Sequence, residues 1–86
     1  MNVNRVLVQA FVSVVVSIDL TDDEDIDPDI ATDILEPAAA LFRDLSEEGR
    51  REVTSLILEC AELEENSERQ RAILGLPEDI GLLGEE

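Results

Sequence analysis

The hydrophobic and polar positions from Val3 to Leu20 repeat with the period of an α-helix. Polar side chains recur at every fourth position and form one narrow stripe, at Arg5, Gln9, Ser13 and Ser17. The apolar residues that share the opposite face of such a helix are Val3, Val6, Leu7, Ala10, Phe11, Val14, Val15 and Ile18. The narrow stripe predicts that this helix is buried on most sides, as a central helix or as an oligomer seam.

A strand is the alternative for this segment, because valine favours strands. However, the apolar run is far longer than the usual strand of about 5–6 residues. The chain also has no second β-rich run that could pair with it. The pattern therefore favours the helix.

A second helix is predicted from Pro28 towards Leu45, where apolar residues recur at steps of three and four. Asp27 is expected to be its N-cap and Pro28 its first residue. Because proline removes a backbone donor, Pro37 is expected to kink this helix or to break it near Glu36, with a short helix after the break.

Two shorter helices and a tail complete the predicted fold. Ser46 is expected to be the N-cap of the third helix. Asn66 is expected to stop that helix, and Ser67 to be the N-cap of a fourth helix over 68–74, which Gly75 ends. The tail over 75–86 contains a mainly apolar segment from Leu76 to Leu83, which is expected to pack back on the helices. The chain is thus predicted to be one all-α domain, a small bundle of three to four helices with an apolar N-terminal helix.

The charge of the chain restricts its partners. The 86 residues include 22 acids, six Arg, and no Lys or His, so the formal net charge is −16. Phosphates and anionic membrane surfaces repel such a chain, and we therefore expect no nucleic acid and no membrane partner. Because His, Lys and Tyr are absent, most general acid–base and nucleophilic chemistry is missing. We expect no enzyme activity, no cofactor and no metal.

The cysteine content and the apolar first segment bear on the compartment. The single cysteine, Cys60, cannot form an internal disulfide, which favours a reducing, cytoplasmic location. Cys60 is expected to lie in the core and not to be a reactive thiol. The first apolar run is too short for a membrane span. A signal peptide is the alternative, but Gln9 and Ser13 interrupt its apolar region, so a retained core element is expected.

The acids are concentrated in one part of the chain. From Val6 to Phe42 there are nine acids and no base, and eight of these acids fall between Asp19 and Asp33. Like charges repel and aspartate is a poor helix former, so residues 19–27 are expected to form an acidic loop. A dense negative surface of this kind attracts a basic protein partner and speeds the encounter with it.

The spacing of five acids also resembles the EF-hand calcium loop over one short stretch. Asp25, Asp27, Asp29, Asp33 and Glu36 fall at the liganding positions of a 12-residue loop. Ile30 replaces the glycine that the turn of that loop requires, and Pro28 is expected to start a helix there. Calcium binding is therefore not the favoured interpretation.

The favoured function is a non-enzymatic binding protein of the immunity or inhibitor type. It would neutralise a basic toxin or a nucleic-acid-acting enzyme by presenting carboxylates where phosphates would bind. The acids, with two embedded isoleucines as apolar anchors, predict a partner-binding set of Asp22, Asp23, Glu24, Asp25, Ile26, Asp27, Asp29, Ile30 and Asp33.

The alternative to a binding protein is a homo-oligomeric subunit. The charge could serve only for solvation, and the valine-rich helix could then be the seam of a homo-oligomeric structural or scaffold subunit. Colicin-type nuclease immunity proteins are similar in length, acidity and helicity. Their adjacent interface tyrosines have no counterpart here, because the chain contains no Tyr. The similarity is one of class, and no shared motif supports it.

Overall fold

The computed structural model describes residues 3–82, and every regular element in that range is an α-helix. The helices are α1 (Val3–Asp19), α2 (Pro28–Arg43), α3 (Glu47–Leu63) and α4 (Ser67–Asp79). The predicted all-α bundle is confirmed, and so is the choice of helix over strand for the first segment. None of the described helices is long and apolar enough to cross a membrane.

Three helices begin at side-chain N-caps. Asp27 Oδ1 accepts a hydrogen bond from the Asp29 amide at 2.8 Å, so α2 begins at Pro28 as predicted. Ser46 Oγ accepts from the Gly49 amide at 3.1 Å at the start of α3, which confirms the second predicted cap. Asn66 caps α4 in the same way, so the predicted cap at Ser67 is wrong by one residue, and Ser67 is the first residue of the helix. These bonds occupy amides that have no partner inside the helix.

Replacing Asn66 by alanine tests how much such a cap contributes. Asn66 Oδ1 accepts from the Arg69 amide at 2.9 Å, and losing a cap of this kind costs about 1 kcal/mol of unfolding free energy. The melting temperature of a domain of this size should then fall by about 4–8 °C, measured by circular dichroism. Ser67→Ala is the control, because Ser67 is already helical. An equal shift in both variants would contradict the cap assignment.

The hydrophobic core forms where α1 packs against the α3–α4 hairpin. The largest side chains that are fully buried come from three different helices: Val16 on α1, Ile57 on α3 and Pro77 on α4. The buried apolar residues of the described chain are Val8, Val12, Val15, Val16, Ala39, Ile57, Ala61, Ile73, Leu76, Ile80 and Leu82. Helix α2 contributes one of them, so it lies at the edge of the bundle.

The prediction of which side of α1 is buried is wrong in part. The buried side chains are Val8, Val12, Val15 and Val16, with Phe11 beside them. The expected inward residues Val3, Val6, Leu7, Ala10 and Val14 are exposed. The cause is that the polar stripe borders the α3–α4 hairpin. Arg5 pairs with Glu59 at 2.8 Å, and Ser17 accepts a hydrogen bond from Arg69 at 3.4 Å. Helix α1 is central, but it is not buried on most sides.

Helix α2 packs against the core through the buried Ala39 and the partly buried Leu35 and Phe42. The rings of Phe11 and Phe42 lie 4.8 Å apart between centroids and are tilted by 54°, a favourable geometry for an aromatic pair. The expected break near Glu36 is wrong, because α2 is continuous through Pro37. The Pro37 side chain is exposed, so its ring meets no neighbouring helix at that position.

Helix α4 continues beyond the predicted end at Gly75 and stops at Asp79. Gly81, with φ of +84°, then terminates it. The Leu82 amide donates to the Pro77 carbonyl at 2.8 Å, and the Gly81 amide to the Glu78 carbonyl at 3.1 Å. This is the Schellman arrangement, in which a left-handed glycine closes the helix. Ile80 and Leu82 are buried, so the expected packing of the tail is confirmed as far as residue 82.

Candidate functional site

The acidic loop that joins α1 to α2 is a compact turn. The amides of Asp25 and Ile26 both donate to the Asp22 carbonyl, at 2.9 and 3.0 Å. Thr21 Oγ1 donates to the Ser17 carbonyl at 2.6 Å and fixes the chain as it leaves α1. Ile26 turns towards the bundle while the acids face solvent. The local hydrogen bonds therefore hold a group of carboxylates on one side of the turn.

The predicted partner-binding residues divide into two groups. The acids are exposed, at Asp22, Asp23, Glu24, Asp25, Asp27, Asp29 and Asp33. The two isoleucines differ, because Ile26 is half-buried whereas the side chain of Ile30 is 56 % exposed. Asp29, Asp33 and Glu36 lie on α2 and not in a loop, as the Pro28 start implied. The stretch that resembles an EF-hand therefore does not have the loop conformation that such a site uses.

A cleft of about 360 Å³ lies beside this loop, between α1, α2 and α4. Its apolar walls come from Val15, Val16, Ile26, Leu35, Ala39 and Leu76. Four carboxylates line it as well, from Asp19, Asp23, Glu36 and Asp79. An arginine or lysine side chain has the matching form, because its aliphatic stem can be buried while its charged head remains at a polar rim.

Asp79 is the lining residue that sequence reasoning missed. It belongs to the last turn of α4 and is far from the acidic run in the sequence. The fold brings it to Asp19, and the pKa of Asp79 is raised, first by burial and then by the negative charges of Asp19 and Glu78. No local pattern around Pro77 could indicate this position, since it depends on how α4 crosses α1.

The raised pKa of Asp79 predicts how the stability of the fold changes with pH. The folded state holds the Asp79 proton more tightly than the unfolded state, so stability is lost as the pH rises through the folded pKa. Asp79→Asn should therefore raise the melting temperature at pH 7. This gain should vanish below the unfolded pKa of about 3.9, where both side chains are neutral. Thermal melts of both proteins from pH 3 to pH 8 measure the difference, and a gain that persists at pH 3 would contradict this origin.

The ion pairs of the described residues lie outside the loop. They join Arg5 to Glu59, Arg43 to Glu36, Arg51 to Glu47 and Arg69 to Glu64. Within residues 3–82, no acid between Asp19 and Asp33 takes part in one of these pairs. The negative charge of the loop is therefore not compensated by arginine, whereas part of the charge on α3 and α4 is.

Cys60 lies half-buried on α3, beside the apolar core. Burial raises the pKa of its thiol, the charge of Glu59 raises it further, and Arg5 lowers it. A raised pKa means little thiolate at neutral pH, which agrees with the expected packing role. Arg5 is a basic neighbour that the local sequence around Cys60 does not indicate.

Comparisons with protein-family models, with curated proteins and with solved structures find no match to this chain.

Proposed function

We propose that this chain is a non-enzymatic binding protein of the immunity or inhibitor type, which neutralises a basic toxin or nucleic-acid-acting enzyme in the cytoplasm. The observation that carries the proposal is the uncompensated charge of the loop. Its acids are exposed, and the ion pairs of residues 3–82 are made elsewhere. The field of these carboxylates is therefore available to a partner.

Such a surface steers a basic protein towards the chain and competes with nucleic acid for its binding surface. Uncompensated carboxylates raise the association rate with a basic protein and hold it most tightly at low ionic strength. A protein that binds nucleic acid presents Arg and Lys to phosphates. The same residues can bind a row of carboxylates, and the enzyme is then blocked at its substrate surface.

The adjacent cleft supports the same partner chemistry. Interfaces depend on a few anchors that fill pockets, and arginine is one of the commonest anchors. The cleft between α1, α2 and α4 combines apolar walls with Asp19, Asp23 and Asp79. An arginine of the partner could insert there while its neighbours contact the loop.

A charge-matched pair of variants tests the proposal. The wild-type chain is used to recover a basic partner from the cells that make it, and the partner is then purified. The loop variant replaces four acids by their amides, at Asp22, Asp23, Glu24 and Asp25. The control variant replaces four exposed acids of the other half by Gln, at Glu48, Glu62, Glu65 and Glu78. Both variants carry the same net charge.

The loop variant should bind the purified partner at least about tenfold more weakly, mainly through slower association, while the control stays within about twofold. Wild-type binding should also weaken steeply between about 0.1 and 0.5 M NaCl. Calorimetry and stopped-flow measurements give these values. Equal weakening by both variants would mean that overall charge, and not the loop, attracts the partner.

A second candidate is a homo-oligomeric structural subunit. The observation that favours it is the apolar side of α1, where Val3, Leu7 and Val14 are more than half exposed. Sedimentation velocity at low protein concentration separates the two candidates. A stable oligomer supports the subunit, and a monomer supports the binding protein.

A further inference from the structure

Helices α1 and α2 each expose three large apolar side chains with the same spacing along the sequence. On α1 these are Val3, Leu7 and Val14, at 66 %, 62 % and 57 % exposure. On α2 they are Ile30, Ile34 and Leu41, at 56 %, 56 % and 72 %. In each helix the three residues are separated by four and then seven positions, so they lie on one side of that helix. We call these six residues the outer apolar face.

The two halves of the outer apolar face both point away from the core, since the α2 residues lie opposite the buried Ala39 on their helix. Helical geometry places the α1 residues opposite Val12 and Val16, which face the α3–α4 hairpin. Phe11 and Phe42 join the two helices beside this face. Leu7 of α1 and Leu45, just after α2, line one apolar cleft together. Leu7 of the α1 strip therefore lies close to the C-terminal end of α2.

The outer apolar face has the character of an interaction surface. The six residues are each more than half exposed, and a group of large exposed apolar side chains marks an interaction surface more often than single scattered ones do. The cleft at one end adds a pocket of about 400 Å³, which Leu7, Phe42, Leu45, Val53 and Leu56 line. A face of this kind, with a pocket, suits a protein partner.

The charges around the outer apolar face indicate which partner. On the α2 side, helical spacing places exposed acids Asp33 and Asp44 along the edge, and the acidic loop lies at one end. The α1 side is bordered by the uncharged Ser13 and Ser17. A second copy would bring another net charge of −16 to this edge. A basic segment complements it.

We propose that the outer apolar face binds an amphipathic helix of the partner, whose arginine or lysine residues lie along the α2 edge and over the acidic loop. This inference rests on the proposed function and adds the form of the partner to it. An exposed apolar helix face receives a partner helix through anchors spaced by three, four and seven residues. The cleft beside Leu7 takes one large apolar anchor, and the acids fix the orientation of the helix.

The test uses a synthetic peptide of about 18 residues, in which Leu occupies one helical face and Arg one adjoining edge. A scrambled peptide of equal composition has no apolar face. The protein variant is Ile34→Gln with Leu41→Gln, and the control is Leu58→Gln with Leu63→Gln. The control residues, on α3, are exposed by 39 % and 69 %. None of these changes alters the net charge, and fluorescence anisotropy measures binding.

The dissociation constant of the Leu/Arg peptide should rise at least about tenfold for the face variant and less than about twofold for the control. The scrambled peptide should bind at least about tenfold more weakly to the wild type. Equal affinity of the face variant and the control would overturn the inference. So would a wild-type dimer that the face variant dissociates, because a second copy would then cover the face.

The loop variant distinguishes a failure of this inference from a failure of the proposed function. If the loop variant binds the purified natural partner more weakly while the face variant binds the peptide normally, the proposed function is supported and the helix-binding face is not. If the face variant binds the peptide more weakly while the loop variant binds the natural partner normally, the apolar face binds a helix, but the proposed role of the acidic loop is wrong. Circular dichroism of each variant shows that it is folded.

Discussion

Ile57→Ala is expected to lower the free energy of unfolding by about 3–4 kcal/mol, within the range measured for buried Ile and Leu residues. Ile57 is 0 % exposed and lies on α3, in the cluster formed by buried residues of α1, α3 and α4. Its truncation removes buried apolar area and leaves a cavity. The neighbouring core residues are mostly Val, Ala, Ile and Leu, so few long, flexible side chains are available to fill the space.

The size of the domain makes this loss severe. A chain of 86 residues has a total stability of about 4–13 kcal/mol, so the variant would lose a large part of it. Urea unfolding followed by circular dichroism measures the change. Leu58→Ala is the control, because Leu58 is the next residue of α3 and its side chain is 39 % exposed. If both variants lost equal stability, the core would not be centred on Ile57.

Gly81→Ala is expected to destabilise the fold by about 1–2 kcal/mol because of the left-handed backbone alone. The φ of Gly81 is +84°. A Cβ atom there would also lie 2.7 Å from Cδ of Arg43, which must move. Arg43 donates a hydrogen bond to the Ile80 carbonyl at 3.5 Å and pairs with Glu36. The substitution therefore also weakens a link between α2 and the end of α4.

Gly75→Ala makes the same chemical change with the opposite expected sign. Gly75 lies inside α4, and its added Cβ meets only Asp79 Oδ2, at the ordinary distance of 3.8 Å. Alanine in a helix interior is favoured over glycine by about 0.5–1 kcal/mol. Thermal melts should therefore move in opposite directions for the two variants. A loss of stability in both would contradict the helical assignment of Gly75.

The caps and the helix periods of this chain could be predicted because they depend on neighbouring residues. Asp27 before Pro28, and Ser46 before two glutamates, satisfy backbone amides within their own turn, whatever the rest of the fold does. The exposure of the loop acids follows from the cost of burying charge. These properties depend on a residue and its neighbours in the sequence, and not on how the helices pack.

The parts that could not be predicted depend on how the helices are arranged. The sequence places two apolar sides on α1, and only the position of the α3–α4 hairpin decides that Val8 and Val12 are buried while Leu7 and Val14 are not. Asp79 reaches the cleft for the same reason. Helix α2 also continues through Pro37, although proline removes a backbone donor and crowds the preceding turn.

The central position of α1 has a consequence during synthesis. Helix α1 is synthesised before its core partners Ile57, Ile73 and Leu76, which lie on α3 and α4. Until then a segment rich in β-branched residues remains uncovered, the kind of sequence that forms strands between chains. The acids that follow it directly act as gatekeepers. The same carboxylates that we propose for partner binding are thus placed where charge opposes aggregation of the nascent chain.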